Sequence, residues 1–288
     1  MKNFKVILIV LFLFYMGDRV FSKILFSSLK YSSLPIAELY FGKGKADILI
    51  IGNSRAYRHF DEKLLSNELN KKVRVLAMQG ASFEFLNILI FDYINIYGFP
   101  EKILIEVSCL SSGNDQIQNN RFMYHKSEGI RNMLKLNYKR DYIIGKLSNL
   151  FFLNTSEFLN AFHKIFVNYI QPPLFGEVSK NEIQDFMNKK YKPYFLIKNN
   201  NYIKFNNLNE KLKNDVQIIS LISPTSKAII ERQVEMIPFI KRIKSVSHQN
   251  FYDFSDTFDD YRFFSDLLHL NEEGRDAFTK KIISKLFK

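Results

Sequence analysis

Two short stretches of this sequence carry side chains that could together perform acyl-transfer chemistry. The first is Ile51-Gly52-Asn53-Ser54-Arg55, which closes an apolar run. A serine on the turn leaving a strand is exposed, close to helix-dipole donors and able to attack a carbonyl carbon. The same position also suits a serine that only caps the following helix. Gly52 is expected to allow an unusual backbone there. The second stretch is Ser265-Asp266-Leu267-Leu268-His269-Leu270-Asn271. Asp266 and His269 are three apart, so one turn of chain brings both side chains to one side. A nucleophilic serine needs a base beside its hydroxyl, and that base needs a group that fixes its tautomer. Ser54, His269 and Asp266 supply the three roles. The Asp–His spacing alone describes a structural pair equally well, and Asp256, Asp259 or Asp260 could replace Asp266 as orienter.

These residues need a scaffold that holds them at one edge. Ala46–Ile51, Lys72–Met78, Lys102–Val107, Val216–Ser223 and Asn250–Ser255 read as five short strands. Asp61–Leu69, Phe83–Tyr97, Ser226–Val246 and Glu272–Phe287 read as helices, the second stopped at Gly98-Phe99-Pro100 and the last capped by Asn271. Strands separated by helices imply right-handed crossovers and a three-layer α/β sandwich with a central parallel sheet. Both chemical stretches then follow strands, at the carboxyl edge where such sheets bind ligands. The alternation breaks over residues 108–214, which read as an insertion between the third and fourth strands. It is mostly helical over Ile130–Val167, with a loop at Gln171-Pro172-Pro173 and a turn at Asn199-Asn200-Asn201. The insertion either shapes the site or only covers the sheet.

The N-terminus reads as a membrane address. Lys2 and Lys5 precede an apolar run, Val6 to Met16; a second patch, Val20 to Phe26, is broken by Ser22 and Lys23. A basic start before an apolar core is the pattern of an export signal. No small-residue cleavage site follows, so residues 1–30 are expected to form an uncleaved single-pass anchor. Residues 31–288 would then lie outside the cytoplasm. A cleaved signal peptide and a buried N-terminal helix of a soluble protein are the alternatives.

With 41 Lys and Arg against 29 Asp and Glu, the 288-residue chain carries +12. Thirty of the cations are Lys, and no Arg-rich stripe or zinc-finger spacing accompanies them, which argues against nucleic acid. A single cysteine, Cys109, excludes an intrachain disulfide and reads as a small buried hydrophobe. Arg55 and Arg58 flank the serine turn and either hold an anionic substrate or are exposed helix cations. His59 lies near Ser54 but has no orienting acid in register. His125, His163 and His248 show no metal-ligand spacing, and no metal or organic cofactor is expected.

Together the two stretches resemble the SGNH (GDSL-type) hydrolase and acyltransferase superfamily. Gly52-Asn53-Ser54 is similar to its first block, usually Gly-Asp-Ser. Asp266-Leu-Leu-His269-Leu-Asn271 with Gly274 is similar to its last, D-x-x-H-L-N-x-x-G. The resemblance covers about residues 46–288 without the insertion. It implies that Ser54 is the nucleophile, His269 the general base and Asp266 its orienter. It implies an oxyanion hole built from the Ser54 amide and the amide of Gly80, the second-block glycine. The third block departs: the family has an Asn soon after the third strand, whereas here Ser112-Gly113-Asn114-Asp115 follows several residues later. Asn114 is the candidate third donor, and the displaced register leaves a pseudoenzyme open. The layout also resembles a membrane-anchored, extracytoplasmic branch that adds or removes O-acyl groups such as acetyl on cell-surface glycans. That implies an acylated polysaccharide as partner and a polytopic protein as a possible acyl donor. A non-catalytic glycan-binding protein and a cytosolic lipase or thioesterase are the competing readings.

Overall fold

The structure is a computed structural model that describes residues 2–42, 44–111, 113–167, 176–190, 193–196, 198–247 and 250–287, with Lys2 and Asn3 by backbone alone. Ser112, the Gln171-Pro172-Pro173 loop and His248 lie outside the described residues. The chain divides into two compact units. One joins Met1–Lys43 to Gln116–Ile170; the other joins Gly44–Asp115 to Gln171–Lys288.

In chain order, the first unit opens with α1 (Lys2–Ser28) and α2 (Pro35–Tyr40). The second unit begins with β1 (Ile48–Gly52), α3 (Ser54–His59), α4 (Glu62–Leu69), β2 (Val73–Ala77), α5 (Phe83–Tyr97) and β3 (Lys102–Glu106). The chain then returns to the first unit for α6 (Glu128–Asn137), α7 (Lys139–Leu147), α8 (Asn149–Leu153) and α9 (Ser156–Phe166). The second unit is completed by α10 (Lys180–Asn188), α11 (Asn199–Leu212), β4 (Gln217–Ile222), α12 (Lys227–Arg232), α13 (Met236–Lys244), β5 (Phe251–Asp253) and α14 (Glu272–Leu286).

The five strands form one all-parallel sheet in the order β2-β1-β3-β4-β5. β1 is buried along its whole length, as a central strand covered on both faces must be. Alternate residues divide between the faces. Ile48, Ile50, Leu104, Ile219 and Leu221 join Leu65 of α4 and Phe278 and Ile282 of α14 in one core. α5 packs on β1 and, through Phe83 against Phe205, on α11. Helices and sheet thus form an α/β arrangement consistent with a three-layer sandwich. The chain steps outward from β1 to β2, then crosses back to β3 on the other side of β1. This reversal opens a crevice beyond the carboxyl ends of β1 and β3, where such sheets bind ligands.

Two expectations inside this unit are corrected. The helix expected over Ser226–Val246 is two helices, because Pro238 in mid-helix would clash with the carbonyl four residues back. Restarting at Met236 places that proline in a first turn, where its missing N–H costs nothing. Asn199-Asn200-Asn201 is no turn but the start of α11. Tyr202, Phe205, Leu208 and Leu212 follow at helical spacing, and buried Asn201 donates to the Leu110 carbonyl at 3.1 Å. Tertiary burial overrides the loop preference of asparagine.

The single-pass anchor is also corrected. α1 forms, but among the described residues no helix is long and apolar enough to cross a membrane. Its uninterrupted apolar stretch, Val6–Met16, spans about 16 Å at 1.5 Å per residue, against about 30 Å of hydrocarbon. The polar interruption is built into the fold. The Asp18 carboxylate accepts from Ser148 Oγ at 2.5 Å, Asn149 N at 2.7 Å and Leu150 N at 3.0 Å, capping the start of α8. Arg19 donates to the Lys146 carbonyl at 3.0 Å, at the end of α7. An anion at a helix start and a cation at a helix end both oppose the helix dipoles favourably.

Candidate active site

Ser54 is the first residue of α3, and it is not the cap of that helix. Asn53 is: its Oδ1 accepts from Arg55 N at 3.0 Å. The cap reading of Ser54 therefore fails, and its hydroxyl is free for other partners. Gly52 does not adopt a positive φ, contrary to expectation. Its role is close approach, because a Cβ there would lie 2.5 Å from the Ala56 Cβ and 3.0 Å from the Glu106 Cβ. Only glycine lets α3 turn this tightly off β1.

The turn is locked from beneath by a buried polar network that sequence patterns did not announce. Glu106 ends β3 with no exposed surface, and Arg55 is 4% exposed. The Glu106 Oε1 lies 3.6 Å from Arg55 Nε and accepts from Ser223 Oγ at 3.1 Å. Glu106 Oε2 accepts from Ser108 N at 3.2 Å and from the Ser108 hydroxyl, which also lies 3.3 Å from the capping Asn53 Oδ1. Arg55 donates onward to the Pro224 carbonyl at 2.9 Å and Thr225 Oγ1 at 2.8 Å. Burial lowers the Arg55 pKa, and the Glu106 charge opposes that shift. Arg55 is thus neither an exposed helix cation nor available to an anionic substrate; it ties the ends of β1, β3 and β4 together. Arg58 is half-buried, with its guanidinium over the Tyr57 ring.

His269 reaches Ser54 from the other end of the chain. Its Nε2 lies 2.9 Å from Ser54 Oγ, and its Nδ1 lies 2.8 Å from Asp266 Oδ2. A carboxylate only accepts, so Nδ1 carries the proton and Nε2 presents its lone pair to the serine hydroxyl. Asp266 Oδ1 also accepts from the amides of Leu268 and His269, at 2.8 and 2.9 Å. Burial raises the Asp266 pKa, but the His269 contact and these amides outweigh it and hold the carboxyl below its usual value. The side chain is half-exposed.

The loop that carries the pair is pinned on all sides. Phe264 and Leu270 pair across it as an isolated antiparallel bridge, and both are buried in the core. Ser265 N donates to the His269 carbonyl at 2.9 Å, and Ser226 Oγ to the Leu267 carbonyl at 2.7 Å. Asn271 caps α14 as expected, accepting from Gly274 N at 3.0 Å. A Cβ at Gly274 would lie 2.1 Å from the Phe263 carbonyl, so the helix start and the loop can pack only through glycine. Beneath the loop, fully buried His59 accepts from Leu270 N at 3.2 Å, with its ring edge-on to His269 at 6.3 Å. Burial, the Arg55 charge and His269 push its pKa well below the usual value. His59 is a neutral prop, not a second base.

The structure also brings Gly80 and Asn114 together. Met78 N donates to the Gly52 carbonyl at 3.2 Å, which places the turn after β2 beside the end of β1. Gly80 has φ 69° and is exposed. Asn114 N donates to the Gly80 carbonyl at 2.7 Å, and Ser82 N to the Asn114 carbonyl at 3.1 Å. Gly113, with φ 108°, makes this approach possible, since a Cβ there would lie 2.4 Å from the Ala81 carbonyl. The longer register after β3 is taken up by a 3₁₀ turn over Val107–Leu110. Among the described residues the amides of Ser54 and Gly80 donate to no protein acceptor, which leaves both for a ligand.

Cys109 is fully buried, and burial pushes its thiol well above the usual pKa, so it is unreactive packing. Among the described residues no group of three or more His, Cys, Asp and Glu side chains is arranged to hold a metal ion. No protein-family model and no curated protein matches the chain in sequence.

Proposed function

We propose that this chain is a serine ester hydrolase or O-acyltransferase of the SGNH type, acting on acylated carbohydrate. The observation that carries the reading is the continuous chain from Ser54 Oγ to His269 at 2.9 Å and on to Asp266 at 2.8 Å. His269 takes the hydroxyl proton as Ser54 attacks the ester carbonyl, and Asp266 stabilises the imidazolium that forms. The oxyanion is held by the Ser54 and Gly80 amides, with Asn114 as the third donor. Collapse expels the sugar alcohol, which takes the proton from His269, and leaves Ser54 acylated. Water or a second sugar hydroxyl then accepts the acyl group, so hydrolysis and transfer share one intermediate. The likeness of residues 52–54 and 266–274 to the superfamily's first and last blocks supports the same assignment. The glycan and the acetyl group rest on the resemblance to the surface-glycan branch alone.

The test is turnover of a small acetyl ester, and acetate release from an O-acetylated polysaccharide, by the full chain beside Ser54→Ala and His269→Ala. Turnover that both variants abolish supports the reading; turnover that survives Ser54→Ala overturns it. A second reading, a glycan-binding protein without catalysis, is motivated by the long connection that delivers Asn114. It predicts polysaccharide binding that Ser54→Ala leaves intact, with no acetate release by the wild type.

A further inference from the structure

Net charge is divided unequally between the two units. Met1–Lys43 and Gln116–Ile170 hold fourteen Lys and Arg against five Asp and Glu, which is +9 of the chain's +12. The larger unit has only +3. The same small unit exposes an apolar surface that a water-soluble domain would bury. Every residue from Phe4 to Met16 of α1 except basic Lys5 is apolar or aromatic and exposed, with Phe4 at 64% and Phe14 at 75%. A groove of about 770 Å³ joins that helix to the insertion, lined by Val10, Leu13, Phe14, Phe21, Leu147 and Leu150 among others. Leu136, Ile143 and Leu147 continue the apolar surface on α6 and α7, and Lys135, Lys139, Arg140 and Lys146 are exposed beside them. Ile143 and Leu147 are one turn apart, as are Lys139 and Ile143, so cations and apolar side chains share a face of α7.

We infer that this unit is an interfacial membrane module that lies on an anionic bilayer, with α1 and the α6–α7 edge entering the headgroup boundary. An apolar face bordered by lysine and arginine is the composition of a helix lying in the interface plane. Each cation near an anionic leaflet adds to the attraction. α1 is too short in its apolar part to span, and Asp18 and Arg19 fix its far half to α7 and α8. The insertion thereby acquires a role: it holds the membrane helix and supplies the charge. This inference does not depend on the proposed chemistry.

The chain contains no tryptophan, so Phe12→Trp gives a single reporter. The full chain would be mixed with vesicles of phosphatidylcholine alone and with vesicles containing phosphatidylglycerol, some brominated near the headgroup and some at the chain end. The expected result is a blue-shifted emission on phosphatidylglycerol vesicles, quenched best by headgroup-proximal bromine. Binding should weaken about tenfold or more in Lys135→Glu/Lys139→Glu/Arg140→Glu, whose exposed side chains leave the core untouched. Best quenching by chain-end bromine would overturn the interfacial placement. Equal binding to neutral vesicles would overturn the charge argument. No vesicle binding, with concentration-dependent self-association or capture by an acidic protein instead, would overturn the membrane as occupant.

Discussion

The two units treat apolar side chains in opposite ways. In the larger unit Ile, Leu and Phe point inward from both faces of the sheet, and polar groups that must be buried are joined in networks such as Glu106–Arg55–Ser223. In the smaller unit the longest helix shows its apolar residues to the outside, and its half-buried Asp18 caps the start of α8. The first pattern is that of a rigid scaffold on which angles and distances between functional atoms are fixed. The second is that of a surface awaiting a partner, because monomeric domains rarely leave so large an apolar face open. The proposed chemistry and the proposed attachment therefore fall in different units, and variants in one unit should leave the other's readout unchanged.

Ser54→Ala should break the comparison on the catalytic side most severely. It should lower ester turnover by about 10⁴-fold or more while vesicle binding and thermal stability hold. Next, Glu106→Gln should destabilise the larger unit by about 3–5 kcal/mol in chemical denaturation, since Arg55 would remain buried beside a neutral partner. A smaller loss would mean that Arg55 finds water or another acceptor. Asn114→Ala should lower kcat by about 10²-fold with little change in KM if its side chain serves the oxyanion. An unchanged kcat would restrict the oxyanion hole to the Ser54 and Gly80 amides.

The smallest effect is a pH dependence of stability. His59 is buried and neutral, with a folded-state pKa well below its unfolded value of about 6.5. Its contribution is present above that pH and is lost as pH falls toward the folded value, because the unfolded chain binds the proton first. Stability should drop by up to about 1.4 kcal/mol per pH unit below 6.5 from this group. His59→Gln, whose side-chain oxygen can still accept from Leu270 N, should flatten that slope. An identical slope in the variant would assign the acid sensitivity elsewhere.

Much of the larger unit was legible because its signals are local. Apolar runs ending in glycine mark β1 and β2, Asn271 marks the start of α14, and the serine stretch sits where a strand ends. What stayed hidden depends on contacts between distant segments. Nothing near Arg55 announces that Glu106 and Ser223 wait for it, because neither shares an element with it. His59 lacked an acid in register, and its actual partner is a backbone amide far along the chain. The approach of Asn114 to Gly80 depends on a 3₁₀ turn after β3 that spacing along the chain does not show. The Ser179–Glu182 capping box that opens α10 is a local signal of the same kind as Asn271. The contacts of Asp18 and Arg19 are hidden for the same reason as those of Arg55: their partners at the end of α7 and the start of α8 lie far along the chain.

The account rests on Ser54 being a nucleophile activated by His269. The most direct measurement is covalent labelling of the full chain with a fluorophosphonate, located by peptide mass spectrometry, in the wild type, His269→Ala and Asp266→Asn. The account predicts one adduct, on the peptide containing Ser54, formed far more slowly in His269→Ala and at an intermediate rate in Asp266→Asn. A folded wild type that stays unlabelled, or an adduct on another residue, would contradict it.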